Sequence, residues 1–194
     1  MSLTKIINNL YLGSYNDIIK EYFKDIGANV IINVAYECSY ECKNMFNCND
    51  EIKYYYYPYH DRPQTMINEV FDEIADLIHK NIEQKKTVFI HCYAGKSRSA
   101  SFVLAYLMKY KNYDLDTAYN YVNDLREIYP NLGFLKQLMD YEIKLTGQST
   151  LDFDKYCIKY IYITVGFASI EEVNTTYNLC NKDVDLTLDK LFDR

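Results

Sequence analysis

The chain has 194 residues, with 21 lysines and arginines against 27 aspartates and glutamates, and nearly half of it is hydrophobic. That length suits one ordinary domain with a small appendage, and the acidic balance argues against a general nucleic-acid binder, which needs a basic face. No apolar run approaches the roughly 18 residues of a membrane span, and the opening MSLTKIINNLYLGS lacks the pattern of a secretory signal, so a cytoplasmic protein with free thiols is expected.

Lys5 to Leu12 predicts two short strands or a hairpin, ending in a turn at Gly13-Ser14. Asn16 is placed to cap a helix running through Ile18, Ile19, Tyr22 and Phe23, with Gly27 as its stop. Asn29 to Ala35 is a continuous apolar run, the pattern of a parallel strand covered on both faces. Tyr36 to Glu51 shows no period and reads as a surface loop carrying Cys38, Cys42 and Cys48. These cysteines have no partner cluster at zinc spacing, so no metal site is expected. Lys53 to Tyr57 predicts a strand stopped by Pro58.

A polar loop, Tyr59 to Thr65, then leads into a helix from about Met66 to Glu83, with Thr65 as its cap and Ile67, Val70, Phe71, Ile74, Ile78 and Ile82 on one face. Thr87-Val88-Phe89-Ile90 is a short buried strand, and Ser99 to Met108 a helix with apolar residues at near-helical spacing. Asp114 caps a further helix, and Pro130-Asn131-Leu132-Gly133-Phe134 starts the last helix of the domain. The strand–helix alternation predicts an α/β fold: a central twisted, mostly parallel sheet of about five strands flanked by helices. A linker at 148–152 separates this domain, 1–147, from a small helical module at 153–194.

The chemistry concentrates in TVFIHCYAGKSRSA, Thr87 to Ala100. His91-Cys92 ends the strand, and five residues separate Cys92 from Arg98 at the start of the helix. Backbone N–H groups converge at such a junction and the helix dipole favours negative charge. A cysteine placed there is expected as a thiolate nucleophile. Arg98 offers a planar fork that can grip two phosphate oxygens.

His91-Cys92, the five-residue spacing and Arg98-Ser99 together resemble the signature of the cysteine-dependent protein tyrosine phosphatases. The wording around Ala94-Gly95 and Ser97-Arg98-Ser99 is similar to the dual-specificity branch. NNLYLGS and REIYPNLGFLKQLMDYE resemble that family's opening and final helix, so the resemblance covers about residues 5–145. It implies a phosphatase of phosphotyrosine and of phosphoserine or phosphothreonine in phosphoproteins, acting through a phosphocysteine on Cys92 without metal or organic cofactor. Tyr93, Ala94, Gly95, Lys96, Ser97 and Arg98 would surround the phosphate, Ser99 would hydrogen-bond the sulfur, and His91 would support the loop. In the family an acid lies on a separate loop some thirty residues before the cysteine, which points to Asp61 as acid and then base.

Lys96 replaces a small apolar residue common at its position and leaves a phosphoinositide phosphatase as an alternative, although Tyr93 stands where those enzymes carry a second lysine. An RNA 5′-triphosphatase, a sulfur-transferring rhodanese-like domain and a non-catalytic phosphopeptide-binding module are further alternatives. Cys38 could approach Cys92 and form a protective disulfide on oxidation. In the tail, Val165-Gly166-Phe167 and the stretch from Asn181 to Phe192 resemble a ubiquitin-associated three-helix module, which implies ubiquitin or another protein as partner through 153–194; a plain packing or dimerisation extension is the alternative. The β-branched residues of Ile158 to Val165 work against a helix there.

Overall fold

The computed structural model describes residues 3–38, 42, 45–46 and 52–193. The chain divides into two compact units, Met1–Thr150 and Leu151–Arg194.

The first unit is built on one five-stranded sheet in the order β1-β2-β5-β3-β4. Strands β1 (Thr4–Ile7) and β2 (Leu10–Ser14) form an antiparallel hairpin, and every other pairing is parallel. Two short helices, α1 (Tyr15–Ile19) and α2 (Tyr22–Asp25), lead to β3 (Val30–Asn33). A 3-10 turn, Tyr36–Cys38, follows, and then β4 (Lys53–Tyr56). A second 3-10 turn, Asn68–Val70, runs into α3 (Phe71–Glu83). The rest of the unit is β5 (Val88–Cys92), α4 (Arg98–Lys111), α5 (Leu115–Leu125) and α6 (Leu132–Thr146).

Strand β5 lies between β2 and β3 and is buried at all of its residues. Covered on both faces, it carries apolar side chains without alternation. Helix α4 packs on β2 and β5, with α3 and α6 against it, and is buried without a break from Arg98 to Met108. Phe102, Leu104 and Leu107 each contribute on the order of 2 kcal/mol through this burial. The parallel register puts Ser14 level with Cys92 and Asn33 level with His91. The carboxyl ends of β2, β5 and β3 therefore meet at one edge, where the strand order reverses and ligand sites of such sheets form.

Three local expectations need correction. Gly13 and Ser14 do not turn; they continue β2 alongside His91 and Cys92. Ser14, not Asn16, caps α1, in a capping box with Asp17, and Glu21 in the left-handed region (φ 55°) breaks the expected single helix in two. Thr65 does not cap α3, because the chain at 65–68 is bound to another helix: Gln137 Oε1 accepts from the N–H groups of Ile67 and Asn68, and its Nε2 donates to Thr65 O. Most of the loop expected at Tyr36 to Glu51, including Cys48, lies outside the described residues.

The second unit holds α7 (Phe153–Val165), α8 (Ile170–Leu179) and α9 (Val184–Phe192), each packed on the other two. Asp152, Ser169 and Asp183 cap them through hydrogen bonds to the N–H groups of Lys155, Glu172 and Leu186. The β-branched stretch of α7 is helical after all. Ile161 and Val165 are buried there, and packing overrides propensity. Gly166 closes α7 at φ 73°. Phe167 and Phe192 are exposed and meet edge to face, with ring centroids 5.8 Å apart.

Candidate active site

Cys92 is the last residue of β5 and is almost wholly buried. The chain leaves it, turns at Gly95 with φ 69°, and enters α4 through Ser97. The turn aims the Gly95 N–H at Cys92 Sγ, at 3.2 Å, and the Ser99 hydroxyl donates to the same sulfur at 3.1 Å. Two donors and the first turn of α4 thus converge where an anion is stabilised. A Cβ at position 95 would lie 2.4 Å from Gly13 O and 2.5 Å from Arg126 Nη2, so only glycine fits. Arg126 is buried and holds the loop's outward-facing oxygens, donating from Nε to Gly95 O at 2.9 Å and from Nη2 to Ala94 O at 3.1 Å.

Arg98 has only 3% of its surface exposed, and its guanidinium is fixed by a carboxylate that sequence reasoning missed. Glu37, in the 3-10 turn after β3, accepts from Nη1 at 2.7 Å and from Nη2 at 2.5 Å, and Tyr59 O accepts from Nη1 at 2.9 Å. The hydrogen bonds from Arg98 hold the Glu37 carboxyl below its usual range. For Arg98, burial works against the charge, but the Glu37 bond and nearby acidic groups outweigh it and raise the guanidinium further. Its Nε remains 3.5 Å from Asp61 Oδ2 without hydrogen-bond geometry.

Asp61 lies over the same loop. Its Oδ1 accepts from the Ser97 hydroxyl at 2.8 Å and from Asn131 Nδ2 at 2.8 Å. The segment carrying it is pressed against the start of α6. A Cβ at Gly133 would stand 1.9 Å from Pro63 O.

His91 is fully buried under the loop, with Nδ1 3.3 Å from Cys92 O and its ring stacked on Phe89 at 5.6 Å. Burial pushes its pKa down to about 4, against a smaller opposing pull from the Cys92 backbone and Asp17. The imidazole is therefore neutral near neutral pH. Asp17, also buried, accepts from the Ser14 N–H and hydroxyl, both at 2.7 Å.

Cys92, Gly95, Ser97, Arg98, Ser99 and Asp61 are thus brought together as a constellation. Lys96 turns its side chain elsewhere: Nζ pairs with Glu127 at 2.5 Å and lies 5.6 Å from the centre of the Tyr129 ring. Tyr93 is exposed and stacks on Tyr15, with centroids 6.3 Å apart. Cys38 is buried, and burial, followed by the neighbouring Cys42 and Glu37, pushes its thiol up to about 12. Glu37, Arg126 and Asn131 are the residues the sequence did not single out. Among the described residues no group of three or more His, Cys, Asp or Glu is arranged to hold a metal ion.

A cysteine cradled between a central strand and a helix, with an arginine behind it and an aspartate above, defines a cysteine-based phosphatase on an α/β sheet. Residues 10–144 match the family model for the dual specificity phosphatase catalytic domain. Over 151 residues the chain is 36% identical to dual specificity protein phosphatase 14 of Homo sapiens, covering 77% of this chain and 73% of that protein. Over 122 residues it is 41% identical to dual specificity protein phosphatase 18 of Mus musculus, covering 62% of each. The solved structure of DUSP15 superposes with a TM-score of 0.66 at 25% identity, covering 73% of this chain and 87% of that one. Human DUSP28, at 23% identity and a TM-score of 0.66 over 74% of this chain and 94% of its own, shares the fold. The chain belongs to the dual-specificity phosphatase family and is a cysteine-based protein phosphatase acting on phosphoproteins.

Proposed function

We propose that hydrolysis runs through a phosphocysteine on Cys92. The carrying observation is the pair of donors on Cys92 Sγ, from Gly95 N–H and Ser99 Oγ, at the entrance to α4. The sulfur attacks phosphorus while the ester P–O bond breaks. The backbone N–H groups of Tyr93 to Arg98 and the Arg98 guanidinium receive the equatorial oxygens, whose charge grows in the transition state. Asp61 gives a proton to the departing oxygen and takes one from the water that cleaves the phosphocysteine. Ser99 stabilises the sulfur as it leaves, and His91 supports the loop from beneath.

Aryl phosphates and phosphopeptides bearing phosphotyrosine, phosphothreonine or phosphoserine test this reading with wild type, Cys92→Ser and Asp61→Ala. Acid-quenched wild type should carry one phosphate on the Cys92 peptide by mass spectrometry. Absence of that adduct during active turnover would refute the covalent route. The pairing of Lys96 with Glu127 speaks against a polyanionic lipid headgroup as substrate, since it removes the extra cation from the phosphate pocket. A reducing compartment suits the free thiols, and we place the protein in the cytoplasm, to be checked by imaging a tagged chain. No described helix is long and apolar enough to cross a membrane.

For the second unit we propose a protein-docking role, with ubiquitin as occupant. Its helix order, the Gly166-Phe167 turn and the exposed Phe167–Phe192 pair support this reading. Glu171 on α8 and Asp189 on α9, with Asp193 just past its end, suit a partner whose apolar face is rimmed by basic groups. Titration of ubiquitin with the full chain should show saturable binding that Phe167→Ala abolishes; unchanged ubiquitin resonances would overturn it.

A further inference from the structure

The two carboxyl oxygens of Asp61 stand in different surroundings. Oδ1 accepts two hydrogen bonds, from Ser97 Oγ and from Asn131 Nδ2, both at 2.8 Å. Among the described residues, Oδ2 has only the Arg98 Nε nearby, at 3.5 Å and poorly aligned. A carboxyl oxygen offers two lone pairs in the plane of the group. With both engaged, Oδ1 has none left for a proton.

The directions of these two donors are fixed by the start of α6. Asn131 caps that helix with its own Oδ1, which accepts from the Phe134 N–H at 3.0 Å. This sets the amide orientation and turns Nδ2 toward Asp61. The Asn131 N–H donates to Ser97 Oγ at 3.2 Å. That occupies the hydroxyl oxygen from behind and leaves its hydrogen directed at Asp61. Gly133 against Pro63, and Gln137 on residues 65–68, dock the rest of the Asp61 segment to the same helix.

We infer that Asn131, with Ser97, anchors Asp61 through Oδ1 and so assigns the transferable proton to Oδ2; Asn131 is a positioning residue for proton transfer. This rests on the reading of Asp61 as the general acid. As the thiolate sulfur of Cys92 bonds to phosphorus, the P–O electron pair passes to the leaving oxygen. That oxygen takes the Oδ2 proton, and Asp61 is left as a carboxylate still held at Oδ1. In the second displacement a water attacks phosphorus, its proton goes to Oδ2, and the P–S electron pair returns to sulfur. The acid is in place before substrate arrives.

The test exploits leaving groups. A poor leaving group such as phenoxide needs the proton, whereas dinitrophenoxide departs readily as the anion. Asn131→Ser keeps a good helix cap but is too short to donate to Asp61. Asn131→Asp, nearly isosteric and an equally good cap, replaces the donor by an acceptor. Both should lose kcat/KM on phenyl phosphate by at least about tenfold more than on dinitrophenyl phosphate, the scale of a misplaced catalytic group. Asp61→Asn, run alongside, should shift the same ratio further. Equal losses on both substrates, or no loss on either, in the Asn131 variants while Asp61→Asn shifts the ratio would overturn the inference. If Asp61→Asn leaves the ratio unmoved, the acid assignment itself falls and takes this one with it.

Discussion

Glu37 grips the guanidinium of Arg98 with both carboxylate oxygens, at 2.7 and 2.5 Å, from a turn that follows a different strand. Arg98 is one of the most deeply buried charges in the first unit, and without this partner its fork would keep, among the described residues, the Tyr59 O bond alone to orient it. Glu37→Gln keeps the length and one acceptor but removes the charge. We expect kcat/KM on aryl phosphates to fall about tenfold or more. Inhibition by an oxyanion such as vanadate should weaken in parallel. A variant with normal oxyanion affinity would show that Arg98 orients itself.

Arg126 supports the other side of the loop. Arg126→Met leaves the Ala94 and Gly95 carbonyls without their charged donor in a buried place. Such bonds to charged groups contribute about 1.5–3 kcal/mol each. Denaturant unfolding of the first unit should register a loss of roughly 3–6 kcal/mol, with activity falling because the loop amides lose their orientation.

Gly133→Ala puts a methyl group where Pro63 O now stands, at 1.9 Å. The segment carrying Asp61 must move. Overpacking of this kind costs about 1–3 kcal/mol. Hydrolysis of phenyl phosphate should suffer more than fold stability does, and kinetics measured together with thermal melting will separate the two.

His91 supplies a pH dependence. Its ordinary value is 6.5, and in the folded chain burial lowers it to about 4. Between those values the unfolded chain binds a proton that the folded chain does not. The contribution to stability is thus complete above pH 6.5 and is lost as the pH falls toward 4. Within that window the slope reaches up to about 1.4 kcal/mol per pH unit. Urea midpoints measured across it should fall on acidification, and His91→Asn should flatten the trend.

The sequence disclosed those parts of the site that are contiguous. Cys92, Gly95, Arg98 and Ser99 share one strand–turn–helix stretch, so residue type and spacing carry the geometry. Asp61 follows from a family pattern rather than a local rule. Glu37, Arg126 and Asn131 carry no such signal, because each acts on a distant segment. A buried arginine in LREIYP and a surface one look alike in a helical pattern. Asn131 reads as a helix start, which it is, and nothing local says that its amide also reaches Asp61. The break of the first helix at Glu21 is likewise not readable locally, since glutamate has a good helix propensity and yet adopts the left-handed region here.

The turn at Gly95 also governs how this loop can change. Its φ disfavours other residues, and Gly13 O and Arg126 occupy the space that a side chain would need. Saturation mutagenesis at this codon should return glycine alone. Lys96, one residue on and half exposed, should accept most side chains. Diversity introduced in a directed-evolution library would therefore alter the rim of the pocket and leave its floor untouched.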